Sequence, residues 1–249
     1  MNINFILMEM THLRYWVPLV IEGNSRGIQS TFYVGASNKY NCPNIDKNKK
    51  QLEQIAEEHN VELQPLNQIN NIKPGLIFSS EKTGIDIVKD MTNCKKIVAT
   101  YQTDFIESYE KYIDHVDHVL MPSEFCADFY NRKSEKNLYL GIPKYDTELH
   151  AADILKKYGL PNSKKCLIIW PKTRDQGNLK MSVVIDSLKA LDYTLLFKTR
   201  GKDPFADKSK KMIQVYKDFY FEDSSWHPHT TQELLKVSDF AVNFGSTSI

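Results

Sequence analysis

The chain has 249 residues, 41% of them hydrophobic and 25% charged, a balance that can bury a globular core and is long enough for one large domain or two small ones. Its formal net charge is +1, from 32 basic and 31 acidic residues, which argues against a generic nucleic-acid surface or a strongly basic membrane patch. No apolar run reaches the ~18 residues of a membrane span. Residues 1–10 lack a basic leader and carry Glu9, so a cytoplasmic protein is expected. Cys42, Cys94, Cys126 and Cys166 are too far apart for a C-x-x-C motif and are expected to be buried thiols in a reducing compartment.

In chain order, residues 4–8 form an apolar run that reads as a buried strand, and residues 13–21 read as a helix. A second strand is expected at 31–35, then a helix at 51–59 with Leu52, Ile55 and Ala56 on one face. Short strands follow at 61–63 and 76–78. The pattern continues with a helix at 84–91, a strand at 96–100, a helix at 105–113 and a strand at 118–121. Ser123 reads as the N-cap of a helix reaching about residue 131. A strand at 138–140 closes this half. After Gly141-Ile142-Pro143 comes a helix at 149–158. A new cycle then runs through a strand at 166–170, a helix at 183–191, strands at 194–197 and 218–221, a helix at 231–237 and a strand at 240–244.

Fully apolar strands alternating with amphipathic helices predict an α/β fold, with parallel sheets covered on both faces. The boundary between two such units is expected between Gly141 and Ser163. The final residues, Gly245-Ser246-Thr247-Ser248-Ile249, read as a turn opening a helix. A second Rossmann-like unit needs more strands and helices than remain. The expectation is that it is incomplete, and that the natural protein continues or the chain is a truncated copy.

Ligands of open parallel sheets sit outside the carboxyl ends of the strands, which selects the loops after each strand. After the first comes Glu9-Met10-Thr11-His12-Leu13-Arg14. His12 is a candidate base near neutral pH, and Arg14 can hold an anion. The alternative for His12 is a helix-start histidine, solvated or bonded to backbone. Tyr101-Gln102-Thr103-Asp104 is a second polar loop, in which Asp104 is either a site residue or the cap of the next helix. Ser79-Ser80-Glu81-Lys82-Thr83 is a weaker third.

In the second half, Lys172, Thr173 and Arg174 follow one strand, and Lys198 and Arg200 follow the next. Two basic clusters on one sheet edge make an anion site, Arg gripping phosphate through its fork and Lys as a point charge. The alternative is a pair of solvated loops. Gly245, Ser246, Thr247 and Ser248 supply small residues that let backbone N–H groups approach a phosphate. The histidines show no metal-ligand spacing, so neither a metal nor a cofactor is expected. G-x-S-x-G, P-loop and G-x-G-x-x-G motifs are missing, which argues against hydrolase, kinase and dinucleotide-dehydrogenase readings.

Two stretches carry a family resemblance. Residues 117–125 (DHVLMPSEF) with 140–146 (LGIPKYD) resemble the domain crossover of GT-B enzymes. They are similar to the crossover of CDP-glycerol glycerophosphotransferase-like proteins and non-hydrolysing UDP-N-acetylglucosamine 2-epimerases. Residues 233–248 (ELLKVSDFAVNFGSTS) resemble those families' late segment, in which a Gly/Ser turn touches the donor diphosphate.

The resemblance implies two Rossmann-like domains, an acceptor domain at 1–146 and a nucleotide-donor domain at 147–249. It makes Lys172, Thr173, Arg174, Lys198, Arg200 and Gly245 to Ser248 donor contacts. His12 and Asp104 become catalytic candidates, with Arg14 and Gln102 on the acceptor side. Glycerophosphotransferase-like members often carry His-Pro where this chain has Lys198-Thr199-Arg200-Gly201, which sets polyol-phosphate transfer behind sugar transfer.

The implied activity is a metal-independent glycosyltransferase of surface-polysaccharide or glycan synthesis. Its partners are a nucleotide sugar and a saccharide or polyol acceptor, with peripheral membrane association and oligomeric state left open. A UDP-sugar 2-epimerase and a non-catalytic nucleotide-binding protein are the alternatives.

Overall fold

A computed structural model of the chain describes residues 1–35, 43–80, 84–100, 109–170, 180–199, 211, 214–215, 219–222 and 225–243. The chain divides into two compact units, Met1–Thr147 and Glu148–Ile249.

The first unit is built on a seven-stranded sheet of β1 (Asn2–Leu7), β2 (Gln29–Val34), β3 (Glu62–Pro65), β4 (Gly75–Ser80), β5 (Cys94–Ala99), β6 (His118–Met121) and β7 (Asn137–Tyr139). The strand order is β3-β2-β1-β4-β5-β6-β7 and every pairing is parallel. Parallel neighbours need a crossover between them. Here the crossovers include α1 (Leu13–Ser25), α2 (Pro43–Lys47), α3 (Lys49–Glu58), α4 (Ile85–Val88) and α5 (Glu124–Phe129).

Helix α1 forms because Leu13, Trp16, Val17 and Val20 repeat at helical spacing, and all four are buried. Trp16 packs its ring 5.3 Å from Phe5 of β1 and 5.9 Å from Phe78 of β4, and its Nε1–H donates to the Ile6 carbonyl at 3.3 Å. That knot fixes the start of α1 over the junction of β1 and β4. Ser123 caps α5, its Oγ accepting from the Cys126 N–H at 3.2 Å, as the sequence predicts. Of the helix expected at 105–113, residues 105–108 lie outside the described residues and residues 109–113 depart from it. Residues 109–115 form two short 3-10 turns, Tyr109–Lys111 and Ile113–His115, with Tyr109 buried and its hydroxyl donating to Asn137 Oδ1 at 2.6 Å.

The second unit carries β8 (Lys165–Ile169), β9 (Thr194–Lys198), β10 (Phe219–Phe221) and β11 (Phe240–Asn243), in the order β10-β9-β8-β11 and all parallel. Strand β8 is buried along its whole length, as a central strand with both faces covered must be. Cys166, Ile168 and Trp170 face α7 (Met181–Ala190) through Met181, Ile185 and Leu188. Leu167 and Ile169 pack on the other face with Leu160 and Leu234. The latter belongs to α8 (Thr230–Lys236), which is clamped to α6 (Ala151–Tyr158). Buried Glu233 accepts from Lys157 Nζ at 2.8 and 3.1 Å and from the Tyr158 hydroxyl at 2.5 Å.

Candidate functional site

In the first sheet the chain turns one way from β1 to β2 and β3 and the other way to β4 and beyond. The reversal lies between β1 and β4, and parallel sheets form their ligand crevice outside the carboxyl ends at such a point. The loop leaving β1 holds Glu9, Thr11, His12 and Arg14. Gly84, at the start of the helix after β4, lies close against β1. At φ +96 it sits where a Cβ would lie 2.8 Å from Ile6 Cγ2.

His12 is placed by a tight turn, its N–H donating to the Glu9 carbonyl at 3.1 Å, and by Trp16, whose ring centre lies 6.4 Å away. The side chain is 2% exposed. Among the described residues its Nδ1 has no hydrogen-bond partner. Burial pushes its pKa down to about 4; Glu9 opposes the fall and Arg14 adds to it. His12 is therefore a neutral imidazole at pH 7, and it departs from the histidine titrating near neutrality that the sequence suggested. Its burial has a sequence signal, since residue 12 precedes Trp16 by four and shares its helix face.

Arg14 is partly shielded, and burial lowers its pKa against the opposing fields of Tyr15, Tyr145 and Glu9. Its Nε–H donates to the Thr11 carbonyl at 3.0 Å. The turn Pro143–Tyr145 packs against α1. Glu9, which sequence reasoning did not select, completes the loop. Its carboxylate accepts from Thr11 Oγ1 at 3.0 Å, and its charge acts on both His12 and Arg14. Buried Ser79 and Ser80 end β4 on the same sheet edge, and buried Thr100 follows β5. Gln102 and Asp104 lie outside the described residues.

In the second sheet the reversal lies between β8 and β11. The four strands finish in one row. Phe221 is in register with Lys198, Lys198 with Ile169, and Ile169 with Asn243. Neighbouring strands in a sheet stand about 4.8 Å apart. The loops that begin after residues 169, 198, 221 and 243 therefore leave from adjacent points on one edge. Those starting at 170 and 244 flank the reversal itself. Lys198 is 3% exposed, and its ammonium donates to the Thr199 carbonyl at 3.0 Å. Lys172, Thr173, Arg174, Arg200, Gly245, Ser246, Thr247 and Ser248 lie outside the described residues.

No family model and no curated protein sequence matches the chain. Solved structures do. The UDP-GlcNAc 2-epimerase of Neisseria meningitidis bound to UDP-GlcNAc matches at TM-score 0.61 and 12% identity, over 97% of this chain and 76% of its own. The UDP-GlcNAc 2-epimerase of Methanocaldococcus jannaschii matches at 0.60 and 11%, over 97% and 78%. The GT-B domain of a sialyltransferase from Photobacterium damselae matches at 0.51 and 9%, over 100% and 87%. The chain has a GT-B fold. At these identities the likeness establishes architecture alone. Among the described residues of this GT-B chain, no cluster of three His, Cys, Asp or Glu side chains could hold a metal ion. No described helix is long and apolar enough to cross a membrane.

Proposed function

We propose that this GT-B chain is a metal-independent glycosyltransferase that moves a sugar from a nucleotide-sugar donor to an acceptor hydroxyl in surface-polysaccharide or glycan synthesis. The observation that carries the proposal is the row Phe221–Lys198–Ile169–Asn243. It brings the strand ends that precede Lys172–Arg174, Arg200 and Gly245–Ser248 to one sheet edge at a topological reversal, where a diphosphate would meet several cationic and N–H donors together. The second unit is the donor side in this reading. Lys172, Thr173, Arg174, Lys198, Arg200 and the turn from Gly245 to Ser248 would hold the diphosphate. The first unit is the acceptor side, with His12 as base, Arg14 and Gln102 as binding residues, and Asp104 as a further catalytic candidate.

The acceptor oxygen bonds to the anomeric carbon, the bond from that carbon to the diphosphate breaks, and the acceptor proton passes to His12. His12 is unprotonated at pH 7 and can take that proton, while its lowered pKa makes it a weaker base than an ordinary histidine. The charge developing on the departing nucleotide is stabilised by the cations of the second unit.

A second reading is UDP-sugar 2-epimerisation, the activity of two structures that share this fold at TM-scores of 0.61 and 0.60. Product analysis separates the two. The protein is incubated with one labelled UDP-sugar, with and without saccharide acceptors. Label moved to an acceptor with release of UDP supports transfer. An isomeric UDP-sugar formed without acceptor supports epimerisation and removes the transferase reading. Unchanged label under every donor and acceptor removes both.

A further inference from the structure

Three arginines of the chain lie within the described residues, and two of them have carboxylate partners. Arg26 pairs with Glu22, and Arg132 with Glu110 at 2.8 Å. Arg14 has none. Its Nε–H is bound to the Thr11 carbonyl, which holds the guanidinium plane, and among the described residues its terminal N–H groups meet neither an acceptor nor an ion-pair partner. The carboxylate whose charge acts on it, Glu9, is engaged by Thr11 Oγ1 and forms no ion pair with Arg14.

Arg14 is also partly shielded from water, so its missing counter-ion is less readily replaced by solvent than at the exposed Arg26. A guanidinium held by Nε and open at its ends is shaped for a two-pronged oxyanion. It stands two residues from His12, whose buried Nδ1 also lacks a partner, at the reversal point of the first sheet.

We propose that Arg14 receives an anionic group of the acceptor, so that the acceptor is an acidic saccharide or a sugar phosphate rather than a neutral sugar. The proposal rests on the glycosyl-transfer reading above. Glu9 opposes an incoming anion. It weakens the site without closing it, because its carboxylate is already bound by Thr11.

The full chain is titrated calorimetrically with methyl glucoside, methyl glucuronide and glucose 6-phosphate, each with and without saturating UDP. The wild-type chain is expected to bind the glucuronide, the phosphate or both on the order of tenfold tighter than the glucoside, the scale of one charge-assisted contact. The tighter of the two anions identifies carboxylate or phosphate as the natural group. Arg14→Gln brings the anions down to the glucoside and leaves UDP affinity unchanged. Arg14→Lys, which keeps the charge and loses the fork, retains part of the preference and serves if the Gln variant does not fold. Glu9→Gln tightens both anions several-fold.

Equal affinities for charged and neutral sugars overturn the proposal, as does failure of both anions to bind. So does an Arg14→Gln variant that loses UDP while keeping its anion preference. A wild-type chain that prefers the anions but binds none of UDP, CDP, GDP, ADP and dTDP would instead remove the nucleotide-donor reading and leave the anion site standing.

Discussion

His12 gives the first prediction its depth. The imidazole is 2% exposed, and burial brings its pKa from 6.5 to about 4. The unfolded chain therefore binds a proton between these two values that the folded chain refuses. Stability rises with pH across that window and is lost as pH falls through it. Between pH 7 and pH 5 the loss from this one group is about 2 kcal/mol.

Carboxylates and His59, whose pKa burial also lowers, add their own dependence, so the quantity to measure is a difference. Urea unfolding of the wild-type chain and of His12→Asn is compared at both pH values. The variant keeps a polar group of similar reach but cannot take up the proton. The wild-type chain is expected to lose about 2 kcal/mol more than the variant between pH 7 and pH 5. Equal losses would mean that His12 is solvated or hydrogen-bonded in its charged form, and the lowering of its pKa by burial would fall with that result.

The remaining predictions concern the scaffold. Glu233→Gln removes the charge that Lys157 and Tyr158 converge upon. It should cost about 1–3 kcal/mol in urea unfolding, with the half-exposed Lys157 holding the value toward the lower end. A cost near zero would show that the clamp between α6 and α8 does not stabilise the second unit. Gly75→Ala places a Cβ 2.2 Å from the Asn2 carbonyl oxygen, and the strand must shift, at about 1–3 kcal/mol. Gly27→Ala meets nothing within 4 Å at φ +70 and should cost about 1 kcal/mol from backbone strain alone. Thermal unfolding of the pair tests the order, and a more damaging Gly27 change would contradict the packing of β1 against β4.

Much of the scaffold is legible in the residues. The run from Cys166 to Trp170 is apolar at every position because both faces of β8 are covered, and that uniformity marks a parallel sheet. Ser123 announces its helix through its own hydroxyl. What escaped notice is short or depends on distant contacts. Helix α2 has only five residues and opens on Pro43, so it has no periodicity to read. The 3-10 turn Leu66–Asn71 buries Leu66 and Ile69 inside an Asn- and Gln-rich stretch that resembles a loop. Residues 109–115 carry the apolar content of a helix, yet Tyr109 is drawn to Asn137 across the fold, a contact no local pattern encodes.

Of the candidate site, the sequence points to the strand ends and the structure supplies their order. The row from Phe221 to Asn243 follows from the pairing β10-β9-β8-β11, which sets β11 beside β8 and away from β10, its neighbour along the chain. His12 could be seen as a candidate, and its spacing from Trp16 hints at burial, but the depth of that burial comes from the aromatic cluster beneath Trp16, which only the fold assembles.

The central claim is that the second sheet's edge holds a nucleoside diphosphate. Calorimetric titration of the full chain with UDP, CDP, GDP, ADP and dTDP tests it directly, alongside Arg200→Ala. At least one nucleotide is expected to bind, and at 100 times its Kd to stabilise the fold by about 2.7 kcal/mol. Its affinity should fall in the folded Arg200→Ala variant. No heat with any of the five, or identical affinities in the two chains, would contradict the assignment.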